Sequence, residues 1–269
     1  MRRFAAILVC FAFVSPVRAD SFKTKAPYAL LIDDSSGKTL FQKNANSGMS
    51  PASTTKILTA EVLFSLLASG KLKLDDSFAI STHAATEGDA QAGGSSMFAQ
   101  AGSRITIEEL LQGLLVDSGN DAAIAVAEGV AGSEKAFAAI MNAHARAIGM
   151  RHSHFTNPWG RTGNRVTARD MATLAAYVIA TYPQYYKYFG QPEFTWRGVR
   201  QQNRNPLLAD GADGLKTGPL AASGYGLVAS AVVDGHRLIL VLNGLKSEKD
   251  RASEGRRLLD YGKVSVGGG

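Results

Sequence analysis

Ser50-Pro51-Ala52-Ser53-Thr54-Thr55-Lys56-Ile57-Leu58-Thr59-Ala60-Glu61-Val62-Leu63-Phe64-Ser65-Leu66-Leu67 opens on a proline and hydroxyl residues and then runs apolar on nearly every side. A surface helix shows one apolar stripe, whereas a helix apolar all round is buried between layers. The stretch therefore predicts a central helix beginning close to Ser53 and ended by Gly70. Upstream, Tyr28–Asp33 is β-prone, Ser35-Ser36-Gly37 punctuates it, and Lys38–Lys43 mixes polar with apolar residues, which reads as a hairpin. Downstream, residues 104–182 read as helices. Thr106 and Glu109 form a capping box ahead of Leu110–Leu115, Ser133 caps 134–148, and Thr167 caps a helix carrying Met171, Leu174, Ala175 and Val178, with Pro183 closing the stretch. Beyond residue 193 the period returns toward two, in Phe194–Arg200, Leu227–Val233, an Asp234-Gly235 turn and Leu238–Leu242, before a final helix over roughly 248–261.

That order predicts a mixed α/β (α+β) fold: one antiparallel sheet formed from both chain ends and flanked by helices, with an all-helical lobe inserted between. The 269 residues, 45% hydrophobic and 19% charged, exclude a disordered tail and a multi-span membrane protein, and fit one large domain better than a string of modules. Residues 1–19 read as a signal peptide: a basic pair, Arg2-Arg3, an apolar run from Phe4 to Val14, and Val17-Arg18-Ala19 at the cleavage site. The run is too short for the ~20 residues that span a bilayer, so no stable membrane anchor is expected after cleavage and the product is expected to be periplasmic. Residues 20–262 then form the catalytic domain and 263–269 a frayed tail. Of the net charge of +6, three positives lie in the leader, leaving too little for nucleic acid as a partner. The one cysteine, Cys10, also lies in the leader, so no disulfide, thiolate nucleophile or cysteine-based zinc site is expected, and His152 and His154 lack a third ligand at recognisable spacing. Neither a metal nor any other cofactor is expected.

Three short segments carry chemistry. In Ser53-Thr54-Thr55-Lys56 a hydroxyl and an amine stand three apart at a helix start, on one face, where a partly neutral lysine could take the serine's proton. Taken alone the pattern also fits a cap serine and a surface lysine, and Ser35-Ser36-Gly37-Lys38 matches it inside a turn. Ser118-Gly119-Asn120 reads as a loop that could project a hydroxyl and a carboxamide into a cleft, or as a plain turn. Lys216-Thr217-Gly218 offers a cation, a hydroxyl and a residue that would let a substrate backbone approach, or an ordinary strand edge.

Together and in this order, the three resemble the signature of penicillin-binding proteins and class A β-lactamases. Ser50–Lys56, Gly94-Ser95-Ser96-Met97-Phe98, Ser118-Gly119-Asn120-Asp121, His154-Phe155-Thr156-Asn157-Pro158, Thr167-Ala168-Arg169-Asp170-Met171, Asn203-Arg204-Asn205 and Asp213–Gly218 resemble most closely the low-molecular-mass D-alanyl-D-alanine carboxypeptidases, over residues 26 to 262. The sequence departs from that family at Trp159-Gly160-Arg161, where many members continue through glycine to leucine, and is expected to lack the β-rich second domain and amphipathic anchor helix of many members. The resemblance implies covalent acyl transfer: Ser53 attacks the carbonyl between the last two D-alanines of a peptidoglycan stem peptide, Lys56 accepts its proton, and Ser118, linked to Lys216, relays a proton to the leaving D-alanine. Asn120 would hold the substrate amide, Gly218 would line the site, and Thr217 with Arg204 would bind the terminal carboxylate, although Arg204 reads equally as a solvated arginine. β-Lactam antibiotics would acylate the same serine. The rivals are a β-lactamase, disfavoured because no glutamate occurs between Glu134 and Glu193, a D,D-endopeptidase, and a silent muropeptide-binding protein. Elsewhere, Lys246, Lys249, Arg251, Arg256 and Arg257 read as a solvated helix face, and Trp159 and Trp196 as core in preference to the lining of a groove.

Overall fold

Strands from the two ends of the chain meet in one sheet. A computed structural model describes residues 22–88, 94–220 and 224–267, so the leader expected over 1–19 lies outside the described residues. β1 (Tyr28–Asp33) and β2 (Lys38–Lys43) come from the N-terminal end; β7 (Gly214–Leu220), β8 (Gly224–Val233) and β9 (His236–Leu245) come from the C-terminal end. The five pair antiparallel in the order β2-β1-β9-β8-β7, with Ala29 opposite Leu242 and Thr217 opposite Leu227. Asp234 and Gly235 both take positive φ, as a two-residue hairpin loop on twisted strands requires.

Alternation sorts the sheet's side chains onto two faces. Ala29, Leu31, Leu227, Ala229, Leu238, Leu240 and Leu242 face the C-terminal helix, α8 (Glu248–Gly267), through Leu258 and Leu259. Leu30, Val228, Ile239 and Val241 point the other way, into the larger core built round α1 (Lys56–Ala68). In α1 every residue from Lys56 to Phe64 is buried, as the unbroken apolar run requires. A short 3-10 turn, Ala52–Thr55, leads into it and carries Ser53.

The inserted lobe holds β3 (Ser77–Ala79), α2 (Thr82–Glu87), β4 (Arg104–Thr106), α3 (Ile107–Gln112), α4 (Asn120–Ala131) and α5 (Glu134–Ile148); α6 (Ala168–Thr181) and α7 (Pro183–Gly190) return the chain to the sheet. The expected caps are present: Thr106 and Glu109 form the capping box, and Ser133 and Thr167 accept from the backbone three residues on.

Five expectations are corrected. Residues 193–202 form a separate hairpin, β5 (Glu193–Trp196) with β6 (Val199–Gln202), rather than part of the large sheet, because their partners are each other. Pro183 begins α7 at its first position, where a missing N–H costs nothing, instead of closing the helical region. α8 continues to Gly267 through the expected frayed tail, since Tyr261 and Val266 still pack on the sheet's apolar face. Arg251 is buried rather than solvated, its guanidinium over the Tyr225 ring at 5.8 Å. Trp196 is core, but Trp159 is only partly buried and lines a cleft. No helix among the described residues is long and apolar enough to cross a membrane.

Candidate active site

Lys56 is the centre of the arrangement. It is the first residue of α1 and fully buried, and its Nζ lies 3.1 Å from Ser53 Oγ, 2.7 Å from Asn120 Oδ1 and 3.1 Å from the backbone oxygen of Trp159. Burial, then the Lys216 and Arg204 cations, hold its amine well below the usual lysine range, with Asp121 and Asp117 opposing. A neutral amine has two N–H groups and one lone pair. In that neutral form, hydrogens directed at the Asn120 and Trp159 oxygens would leave the lone pair for the Ser53 hydroxyl.

Each partner is fixed by its own local structure. Ser53 sits one helical turn before Lys56, so the sequence spacing alone brings the pair together. Asn120 opens α4, and its backbone N–H donates to Ser95 O. The neighbouring Asp121 carboxylate, wholly buried, accepts from Ser96 Oγ and from the Met97 and Ala99 amides, which ties the Gly94–Phe98 stretch beside the site. Trp159 is held because its loop is clamped to α1: Pro158 O accepts from Thr59 Oγ1, and Asn164 Nδ2 donates to Thr55 Oγ1.

Ser118 stands between the π-helical turn Gly113–Asp117 and α4, with φ of 72°, and its buried Oγ has no partner among the described residues. A serine in the left-handed region costs free energy that the surroundings must supply, a feature common at functional sites. Lys216 and Thr217 lie on β7, the edge strand, and both are buried. Burial, with Arg204 adding to it, pulls the Lys216 amine down to about 7. Thr217 Oγ1, like Ser118 Oγ, is a buried hydroxyl without a protein partner among the described residues.

Three sequence readings change in detail. Arg204 is neither free nor fully solvated: it donates to Asp117 Oδ1 at 2.7 Å and to Ser95 Oγ at 2.6 Å, and its charge acts on both lysines. Gly218 serves the protein's own packing, since a side chain there would come within 2.9 Å of Pro51 O and 3.2 Å of Ser53 N. β7 thus runs hard against the Ser53 turn. The link expected between Ser118 and Lys216 is not a direct hydrogen bond, because Lys216 Nζ donates only to Thr217 O, at 3.4 Å, among the described residues. Sequence reasoning missed Trp159 O, Thr59, Asn164 and Asp117; the Asn157-Pro158 segment was the one signal for the first three.

The site opens into a cleft of about 460 Å³ lined by Ser53, Asn120, Ser95, Trp159 and Pro219 among others. Comparison with known proteins finds relatives over most of the chain. A family model described as D-alanyl-D-alanine carboxypeptidase matches residues 15–247. The chain is 37% identical to D-alanyl-D-alanine carboxypeptidase DacA of Escherichia coli K12, over 97% of this chain and 69% of that protein. It is 40% identical to DacC of the same organism, over 94% of this chain and 64% of that one, so it spans about two thirds of these relatives' length. The crystal structure of D-alanyl-D-alanine carboxypeptidase DacD from Francisella tularensis superposes with a TM-score of 0.86 at 34% identity, covering 91% of this chain and 72% of that chain.

Proposed function

The chain belongs to the D-alanyl-D-alanine carboxypeptidase family and is a hydrolase of that kind, and from that premise we propose that Ser53 is its nucleophile and Lys56 its general base. The single observation that carries the assignment is the set of three contacts at Lys56 Nζ, which in the amine's neutral form would turn its lone pair toward Ser53 Oγ.

The substrate is a peptidoglycan stem peptide ending in D-alanyl-D-alanine. Ser53 Oγ attacks the carbonyl between the two alanines while Lys56 takes its proton, and the negative oxygen rests against the Ser53 backbone N–H and one from β7, worth about 3–4 kcal/mol per donor. The C–N bond then breaks, the leaving amine takes a proton by way of Ser118, and water hydrolyses the acyl-serine. Two features support these roles: Ser118 Oγ and Thr217 Oγ1 are buried hydroxyls whose hydrogen-bonding capacity is unused among the described residues, and Lys216, with Arg204 beyond it, gives this end of the cleft positive charge for the peptide's terminal carboxylate. Asn120 serves Lys56 through its Oδ1, which leaves its amide hydrogens for the substrate. β-Lactams, which present an amide carbonyl beside a carboxylate, acylate the same serine. A secretory leader over residues 1–19, as the sequence reads, would deliver the enzyme to the periplasm, where this substrate is found.

The test is D-alanine release from a diacylated tripeptide ending in D-alanyl-D-alanine. Ser53→Ala is expected to abolish release with the thermal transition unchanged, and a variant that still releases D-alanine at the parent rate would reject the assigned nucleophile.

A further inference from the structure

The cleft beside Ser53 carries a pair of charges that the acyl-transfer chemistry does not use. Arg161 Nη1 lies 3.4 Å from Glu87 Oε2, and both residues line the same cleft as Ser53. The Arg161 guanidinium sits 5.8 Å from the centre of the Trp159 ring. That ring is fixed from below, since Trp159 Nε1 donates to Glu134 Oε2 at 2.8 Å, and Glu134 Oε1 lies 3.0 Å from His83 Nε2. The ring is held by that hydrogen bond, while the paired charges are 62% and 44% exposed, so solvent screens their mutual attraction and little is lost when they separate to take other partners.

The direction of the substrate follows from the proposed function, on which this inference rests. A peptide with its terminal carboxylate toward Lys216 and Thr217 and its scissile carbonyl at Ser53 leaves only its upstream residues for the rest of the cleft. Ser53, Trp159 and Arg161 line one cleft, so the residue preceding the two alanines is the one whose long side chain can extend along the Trp159–Arg161 wall. A side chain ending in an ammonium alone would meet Glu87 but be repelled by Arg161, and one ending in a carboxylate alone would meet the reverse. Only a terminus bearing both groups satisfies both, with its methylene stem lying on the Trp159 ring.

We propose that Glu87, Arg161 and Trp159 form a specificity subsite for the residue preceding the two D-alanines, selecting a diamino-dicarboxylic acid whose side chain ends in an ammonium and a carboxylate together. Arg161 takes the carboxylate and Glu87 the ammonium. The experiment measures kcat/KM for D-alanine release by the full mature chain from two N-acylated tripeptides that differ only in that residue, meso-diaminopimelic acid or lysine. The expected result is a preference for the diaminopimelyl peptide of about tenfold or more, shrinking with added salt. Arg161→Leu and Glu87→Gln should each bring the ratio close to one, and Arg161→Lys should keep part of it. A ratio near one for the parent protein, or a ratio unchanged in both single variants, overturns the subsite. The parent ratio decides even if a variant fails to fold. Release from neither peptide would instead overturn the carboxypeptidase assignment on which the subsite rests.

Discussion

Replacing Gly160 with alanine tests how the catalytic lysine is held. Gly160 has φ of 99°, a value at which a side chain is strained, and a Cβ there would fall 1.9 Å from Ala52 O and 2.8 Å from Ser53 N. The opposing backbone has little room to yield, because Ala52 already holds a positive φ of 47°. The substitution therefore pushes the Trp159–Gly160 segment away from the Ser53 turn and draws Trp159 O off Lys56. Backbone strain costs about 1–3 kcal/mol and overpacking costs about 1–3 more, for roughly 2–6 kcal/mol in all. For a chain of this size that lowers the melting temperature by roughly 5–20 °C. Loss of one acceptor on Lys56 should slow Ser53 acylation about tenfold. Gly235→Ala is the comparison: its φ of 83° imposes the strain, but nothing lies within 4 Å of the added carbon, so only a smaller melting shift and an unaltered acylation rate are expected. Calorimetry and fluorescent-penicillin labelling read the two quantities. If Gly160→Ala melts no lower than Gly235→Ala and is labelled at the parent rate, the clamp described here does not position Lys56.

Other consequences follow from the charges. Arg204→Gln removes a cation that depresses both lysines and frees Asp117 to act on them, so both amines rise and the acidic limb of the acylation profile should move to higher pH; a shift to lower pH contradicts the assignment. Lys216 has its amine near 7 in the folded state and near 10.5 unfolded, so between those values the unfolded chain binds more protons and stability rises with pH, by on the order of 1 kcal/mol per pH unit. Lys216→Met should lose that rise between pH 7 and 9 in thermal melts, and parallel curves for the two proteins would refute the depressed amine. Asn120→Ala removes the 2.7 Å acceptor from Lys56 and should slow acylation by about 10–100-fold; a rate within a factor of about two of the parent's would show that Lys56 does not depend on it.

What could be read from the sequence was local. The strands on either side of Asp234-Gly235 announced themselves by their period, and that turn fixed the register of its own hairpin, whereas the seven-residue β7 showed only as a possible strand edge at Lys216-Thr217-Gly218. The four-residue strands at 193–202 gave no hint of which sheet they join, because pairing partners are decided by the rest of the fold. α4 escaped notice because Asn120–Ala131 is small and mostly apolar, with no stripe to mark it, and because Ser118-Gly119-Asn120 reads as a loop when its αL serine is not seen to be a helix end. Arg251 and Trp159 were misplaced for a common reason: residue type sets an average burial, and a neighbour supplied from far along the chain overrides it. The same distinction divides the site. Ser53 and Lys56 are three residues apart and legible as a pair, whereas the two acceptors that hold Lys56 come from 64 and 103 residues away.

The central claim is that Lys56 activates Ser53 for acyl transfer. Intact-protein mass spectrometry of the full mature chain with benzylpenicillin, followed by peptide mapping, tests it most directly. One stable adduct per chain, carried by Ser53 and lost in Ser53→Ala, is the predicted result. An adduct mapped to any other residue, or no adduct while D-alanine release proceeds, would contradict it.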